Sequence, residues 1–191
     1  MKTGIAILVV SESSLQLSLT IAKHLPGSNL YSSFESIFTD TIPSIATFLK
    51  EHFNRFEAFV FVGSLGICVR SVAPFITDKH TDPAIVNIDS TGKYIVSVLS
   101  GHIGGANSLT KQIARITGGQ AVITTQSDNT DLWALDTLGK TYQWKETVHN
   151  ATMNKLIASF VNKKPVALLL EVRDQGTCYL ERTKPDHVSI Y

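Results

Sequence analysis

Cysteine is scarce: Cys68 and Cys178 are the two in 191 residues, and they stand far apart. Their separation fits no metal-binding spacing, and the pair reads as reduced thiols of a cytoplasmic protein. Charge is also sparse. Charged residues make up 17% of the chain and the formal net charge is +1. No global field therefore points to nucleic acid or to an anionic membrane, and any anionic ligand must be met by local groups. No apolar run approaches membrane-spanning length. The segment from Met1 to Val10 is apolar but short, with one early lysine and no small-residue cleavage site, so it reads as a buried strand and not as a signal peptide. Internal repeats and low-complexity tracts are absent as well.

What is present is an alternation of strand and helix patterns. Gly4 to Val10 and Glu57 to Val62 are continuous apolar runs, the pattern of parallel strands covered on both faces. Ser13 to Leu25 reads as a helix, Ser28 to Ser32 as a short strand, and the stripe Ile42, Ile45, Leu49, Phe53 and Phe56 as a second helix with Pro43 in its first turn. Ala84 to Asp89 and Lys93 to Leu99 flank Ser90-Thr91-Gly92 and predict a β-hairpin. A helix and a strand from Gln120 to Thr124 follow. The expected fold is α/β: a mostly parallel sheet with helices on both faces and one hairpin, followed by a smaller α/β segment. The polar stretch Thr125-Gln126-Ser127-Asp128-Asn129 sets the expected boundary, with domains at 1–128 and 129–191, the second cut short. In that second part Asp131 to Leu138 predicts a short helix, Met153 to Val161 an amphipathic helix, and Val166 to Glu171 a strand.

Three stretches carry candidate chemistry. Ser100-Gly101-His102-Ile103-Gly104-Gly105-Ala106-Asn107 lies where a strand becomes a helix. Glycines there permit a sharp turn, and helix-start amides favour an anion. No Gly-Lys-Ser/Thr follows, so this is no Walker loop, and the glycine spacing departs from the dinucleotide fingerprint. The ordinary alternative is tight strand–helix packing; a histidine held among the glycines favours a ligand loop. The second stretch is Thr77-Asp78-Lys79-His80-Thr81-Asp82-Pro83, in which Lys79 can hold a carboxylate and Asp78, His80 or Asp82 can move a proton. A solvated loop is the plain alternative. The third is Gly63-Ser64-Leu65-Gly66-Ile67-Cys68-Val69-Arg70, where Arg70 can reach an anion at the helix start and Cys68 reads as core. A metal site from His80, Asp82 and His102, completed by Asn107 or Asp128, lacks ligand pairing at helical spacing, so no protein metal is expected.

These stretches, with Ala73-Pro74 and Ile123-Thr124-Thr125, resemble the CbiG family of cobalamin-biosynthesis proteins in order and spacing, most densely from Glu57 to Asp128. The resemblance implies an N-terminal domain and the start of a middle one, without the C-terminal domain. It also implies hydrolytic opening of the δ-lactone of cobalt-precorrin-5A, with loss of acetaldehyde, in the anaerobic route to vitamin B12. Cobalt then belongs to the substrate, and no cofactor is required. The implied partners are a corrinoid with several carboxylate arms and the missing C-terminal domain or neighbouring pathway enzymes. On the residues themselves, His102 is the first choice for the base, with His80 and Asp82 second. Ser64, Gly66, Arg70, Lys79, Ser100, Gly101, Gly104, Gly105 and Asn107 are the candidate binding residues; amides near Gly104 to Ala106 are expected to face an open cleft, with those around Gly104 and Gly105 as oxyanion donors. This requires the Gly63 and Gly101 turns to share one sheet edge, at strand carboxyl ends. Two rival readings stand beside it. One is a non-catalytic corrinoid-binding or scaffolding module. The other, a nucleotide-binding domain, is weakened by the missing acidic ribose residue.

Overall fold

The computed structural model describes residues 2–130, 132–145 and 147–191. By internal packing the chain divides into two compact units, 1–123 and 124–191. Gln126–Asn129, in the polar stretch, forms a turn of helix within the second unit.

The first unit is a seven-stranded sheet in the order β3-β2-β1-β4-β5-β6-β7. Its strands are β1 (Ile5–Val9), β2 (Ser28–Ser32), β3 (Asp40–Thr41), β4 (Ala58–Val62), β5 (Ala84–Ile88), β6 (Tyr94–Leu99) and β7 (Gln120–Val122). β1 to β5 are parallel. β6 runs antiparallel to β5, and β7 is parallel to β6. The expected hairpin is therefore present, and it turns the last two strands against the others.

The apolar runs of β1, β4 and β5 are continuous because both sheet faces are covered. Ile7, Val60, Val62, Val86 and Ile88 pack under α1 (Leu15–His24) and α4 (Ala106–Thr117). Ala6, Leu8, Phe59, Phe61 and Ile85 pack under α2 (Ile45–His52) and α3 (Leu65–Val72). α2 starts later than its apolar stripe predicts, because the Ser44 side chain accepts from the Thr47 amide and caps the helix behind Pro43. Cys68 is fully buried in the second layer, and burial pushes its thiol up to about 12.

The second unit is built from α5 (Gln126–Asn129), α6 (Leu138–Tyr142), α7 (Asn150–Val161), β8 (Val166–Leu168), α8 (Gln175–Arg182) and β9 (Val188–Ile190). β8 and β9 form a two-stranded parallel sheet. Trp133, Phe160, Leu180 and Val188 are its buried core. Of the helix expected over Asp131 to Leu138, Asp131 lies outside the described residues, and the helix begins only at Leu138. β8 stops at Leu168, short of the expected Glu171. α8 is unforeseen; a capping box between Asp174 and Thr177 starts it.

Candidate active site

The register of the sheet decides which candidates meet. Val62 pairs with Ile88, so the Gly63 turn leaves the carboxyl edge of the parallel strands. Leu99 pairs with Ile85, so the Ser100–Gly105 loop leaves the opposite edge. The five-residue β5 separates them by about 13 Å of sheet at the usual strand rise. The expectation of a shared edge fails, and its physical reason is the hairpin, which reverses β6. Ser64, Gly66 and Arg70 do not belong to one site with His102.

The structure instead joins the second stretch to the first. The 77–83 loop enters β5 at its amino end, the edge that carries the Gly101 turn. The Ser100 hydroxyl donates to the Asp82 carbonyl oxygen at 3.2 Å. A Cβ on Gly104 would lie 3.5 Å from the Ala84 nitrogen, so the tip of one loop rests on the root of the other. The Lys2 ammonium adds a bond to the Thr81 carbonyl on the same edge. Lys79, His80, Asp82, Ser100, His102 and Gly104 thus occupy one edge, with Lys79 and Gly104 exposed and His80 and His102 half-buried.

The glycines of the Ser100–Asn107 turn are explained first by packing. A Cβ on Gly101 would lie 2.7 Å from Asn107 Oδ1, and one on Gly104 would lie 2.5 Å from Ser100 Cβ. Gly105 has a φ of +87°, and Ser100 itself takes a φ of +56°, which is uncommon outside glycine. Asn107 is buried and accepts from the Ser97 hydroxyl at 2.7 Å, fastening the start of α4 to β6. The turn also caps itself. The amides of Gly105, Ala106 and Asn107 donate to the carbonyls of His102, Ser100 and Gly101 at 3.1, 3.2 and 3.0 Å. The open amide cradle expected at Gly104 to Ala106 is therefore corrected: Gly105 and Ala106 have spent their donors inside the turn, and Gly104 alone stands exposed at its tip.

Asp82 is similarly committed. It is 4% exposed, and its carboxylate accepts from the Thr77 amide, the Thr77 hydroxyl and the Asp78 amide at 2.9–3.3 Å. Asp78 in turn accepts from the His80 amide at 3.0 Å. These bonds wind the 77–82 loop into a fixed turn that presents Lys79 and His80 at its tip.

On the other edge, α3 has Ser64 as its N-cap residue, with no side-chain cap bond. The Arg70 guanidinium folds back along the helix, its Nη atoms 3.5 Å from where a Gly66 Cβ would sit. Gly66 leaves the room for that fold. Beneath the turn, buried Asn87 donates from Nδ2 to the Gly63 carbonyl at 3.2 Å. On this edge the Ser11 hydroxyl hydrogen-bonds to those of Ser13 and Ser14 at 2.9 and 3.0 Å. Sequence reasoning missed Asn87 and Ser14, whose only signal was polarity beside an apolar run. Among the described residues no group of three or more His, Cys, Asp or Glu is placed to hold a metal. Among the described residues, too, no helix is long and apolar enough to cross a membrane.

The family model for the cobalamin synthesis G N-terminal region matches residues 47–128, and that for the cobalamin biosynthesis central region matches residues 133–191. A cobalt-precorrin-5A hydrolase of Priestia megaterium is 38% identical over 149 residues, which are 78% of this chain and 39% of the relative. One of Salmonella typhimurium is 47% identical over 89 residues, 47% of this chain and 25% of the relative. The chain thus spans well under half the length of either. A crystal structure of a cobalamin biosynthesis protein G homologue from Sulfolobus solfataricus superposes with a TM-score of 0.55 at 20% identity, covering 97% of this chain and 52% of that one. At that identity the likeness speaks to the fold.

Proposed function

Because the chain belongs to the cobalamin synthesis G family, matching its N-terminal and central regions in order, we propose that it is the leading part of a cytoplasmic cobalt-precorrin-5A hydrolase. The observation that carries this reading is the agreement of those two consecutive regions with hydrolase relatives at 38% and 47% identity. The reaction is hydrolytic opening of the substrate's δ-lactone, with release of acetaldehyde to give cobalt-precorrin-5B. Cobalt travels with the substrate, and the partner is a corrinoid carrying several carboxylates together with the remaining region of the longer protein.

Lactone opening needs a water deprotonated as it attacks and a donor for the oxyanion that forms. We assign the water's proton to His102, whose half-buried ring sits in the turn beside the His80 loop. His80 is the second candidate. Asp82 is better suited to positioning, because the Thr77 and Asp78 donors already engage its carboxylate. The exposed Gly104 amide is the oxyanion donor we assign, and Lys79 is placed to meet a carboxylate arm. Ser64, Gly66 and Arg70, on the far edge, stand outside the reacting centre.

The test is single-turnover acetaldehyde release by the chain joined to the remaining region of the Priestia megaterium relative. His102→Ala is expected to lower the rate by roughly 10²–10⁴ while corrinoid binding and folding persist. An unchanged rate removes His102 and moves the assignment to His80. No release by the parent protein would refute the hydrolase reading.

A further inference from the structure

The second unit contains a cavity of about 410 Å³ where α7 and α8 end and β9 begins. Lys163, Arg182, Lys184, His187, Thr130 and Thr183 line it, with Asp186 as the single carboxylate on its wall. Lys163 follows α7 in a left-handed conformation, φ +55°, which turns the chain around the rim. Arg182 is the last residue of α8, and Lys184 comes two positions later. His187 rests on the Phe160 ring at 4.9 Å, and its Nε2 is buried without a hydrogen-bond partner.

Helix carboxyl ends attract cations, which accounts for a basic residue at each end. It does not account for three cations facing one concavity with a single opposing carboxylate. Among the described residues of this unit, Arg173 pairs with Glu181 at 3.9 Å, away from the cavity cations. The Lys184 ammonium is held by the Val188 carbonyl at 2.9 Å, so part of the cationic wall is fixed in place. The hydroxyls of Thr130 and Thr183 already donate to the Gln126 and Tyr179 carbonyls at 2.7 and 2.8 Å, so recognition falls to the cations, among them a planar guanidinium suited to an oxyanion with two oxygens.

We propose that this cavity binds a carboxylate arm of the corrinoid, making the central region a second anchor for the substrate. The proposal rests on the hydrolase reading for the identity of the ligand, and on the cavity alone for its charge. Carboxylate and phosphate share the oxyanion chemistry, so the test separates them.

The 191-residue chain is titrated by calorimetry with a cobalt corrinoid whose acetate and propionate arms are free, with the same corrinoid fully methyl-esterified, and with inorganic phosphate. The free acid is expected to bind and the ester to bind at least about tenfold more weakly, since a charged hydrogen bond contributes about 1.5–3 kcal/mol. Arg182→Gln and Lys163→Gln are each expected to weaken the free acid by about tenfold or more, with thermal midpoints unchanged. Equal binding by parent and variants, or no binding by the parent, overturns the assignment. Phosphate binding as tight as the corrinoid's overturns the carboxylate arm in favour of a phosphate site. Acetaldehyde release by the joined protein is read separately. Turnover with unaltered KM in both variants refutes the cavity and spares the hydrolase reading; absent turnover with intact, variant-sensitive corrinoid binding does the reverse.

Discussion

Replacing Gly104 with alanine tests whether the Ser100–Asn107 turn is held by packing. The new methyl would stand 2.5 Å from Ser100 Cβ and 2.8 Å from the Ser100 carbonyl oxygen. Comfortable carbon–carbon contact lies at about 3.5–4.0 Å, so roughly 1 Å must open. Neither neighbour can swing away: one is backbone, and the other is the first atom of a side chain whose hydroxyl is tied to Asp82. The Ser100 carbonyl also accepts from the Ala106 amide, so opening the turn strains the start of α4. Overpacking of this kind costs about 1–3 kcal/mol. Gly105→Ala is the control. Its methyl meets nothing within 4 Å, and the loss is only the left-handed backbone at φ +87°, about 1 kcal/mol. Urea unfolding measures both, and with a slope of about 1–3 kcal/mol/M the Gly104 variant is expected to lower its midpoint by on the order of 1 M. The tryptophans, Trp133 and Trp144, both lie in the second unit, so their fluorescence reports that unit while far-UV circular dichroism includes the first. A Gly104→Ala transition that does not move, or that moves less than Gly105→Ala, would refute the packing account.

Other expectations follow from the same geometry. With Ellman's reagent the native chain is expected to show Cys178 reacting at once and Cys68 only after denaturation, because Cys178 is exposed while burial pushes the Cys68 thiol up to about 12. Asp89, in the β5–β6 turn, is burdened by burial, yet hydrogen bonds from the Thr91 hydroxyl and from the Tyr94, Thr91 and Lys93 amides hold its carboxyl below the ordinary 3.8. A depressed carboxyl stabilises above its unfolded pKa and loses that contribution as pH falls through the folded value. The urea midpoints of parent and Asp89→Asn are therefore expected to differ near neutrality and to converge as pH drops below 3.8. In the joined protein, the effects of Arg70→Ala and His102→Ala on acetaldehyde release are expected to add within about 0.5 kcal/mol, since the two lie on opposite edges; a larger coupling would contradict the topology.

Much of the fold was legible because parallel strands covered on both faces write themselves as unbroken apolar runs. Gly4 to Val10 and Glu57 to Val62 reappear as β1 and β4, and the hairpin around Ser90-Thr91-Gly92 is there. Strand order is not written locally, and the site reading stumbled on it. A hairpin flips everything that follows it, so the Gly101 turn had to leave the opposite edge from Gly63 once β6 sat beside β5. The glycine spacing itself could not distinguish an anion loop from a self-capped one; that depended on where the Ser100, Gly101 and His102 carbonyls point. α8 escaped notice because its apolar face is short, although Asp174 three positions before Thr177 is a helix-start signal.

The two layers of the first unit differ in chemistry. Phe48, Phe53, Phe56, Phe59 and Phe61 lie buried on the α2–α3 side, while the buried cluster under α1 and α4 contains no aromatic ring. Ring currents therefore act on only one side of the sheet. Methyl resonances of Leu8, Leu49, Val72 and Ile85 should be spread widely in an NMR spectrum, and those of Ile7, Val60, Ile88 and Ile113 crowded near their random-coil positions. The molecule thereby carries its own label for which side of the sheet a perturbation reaches.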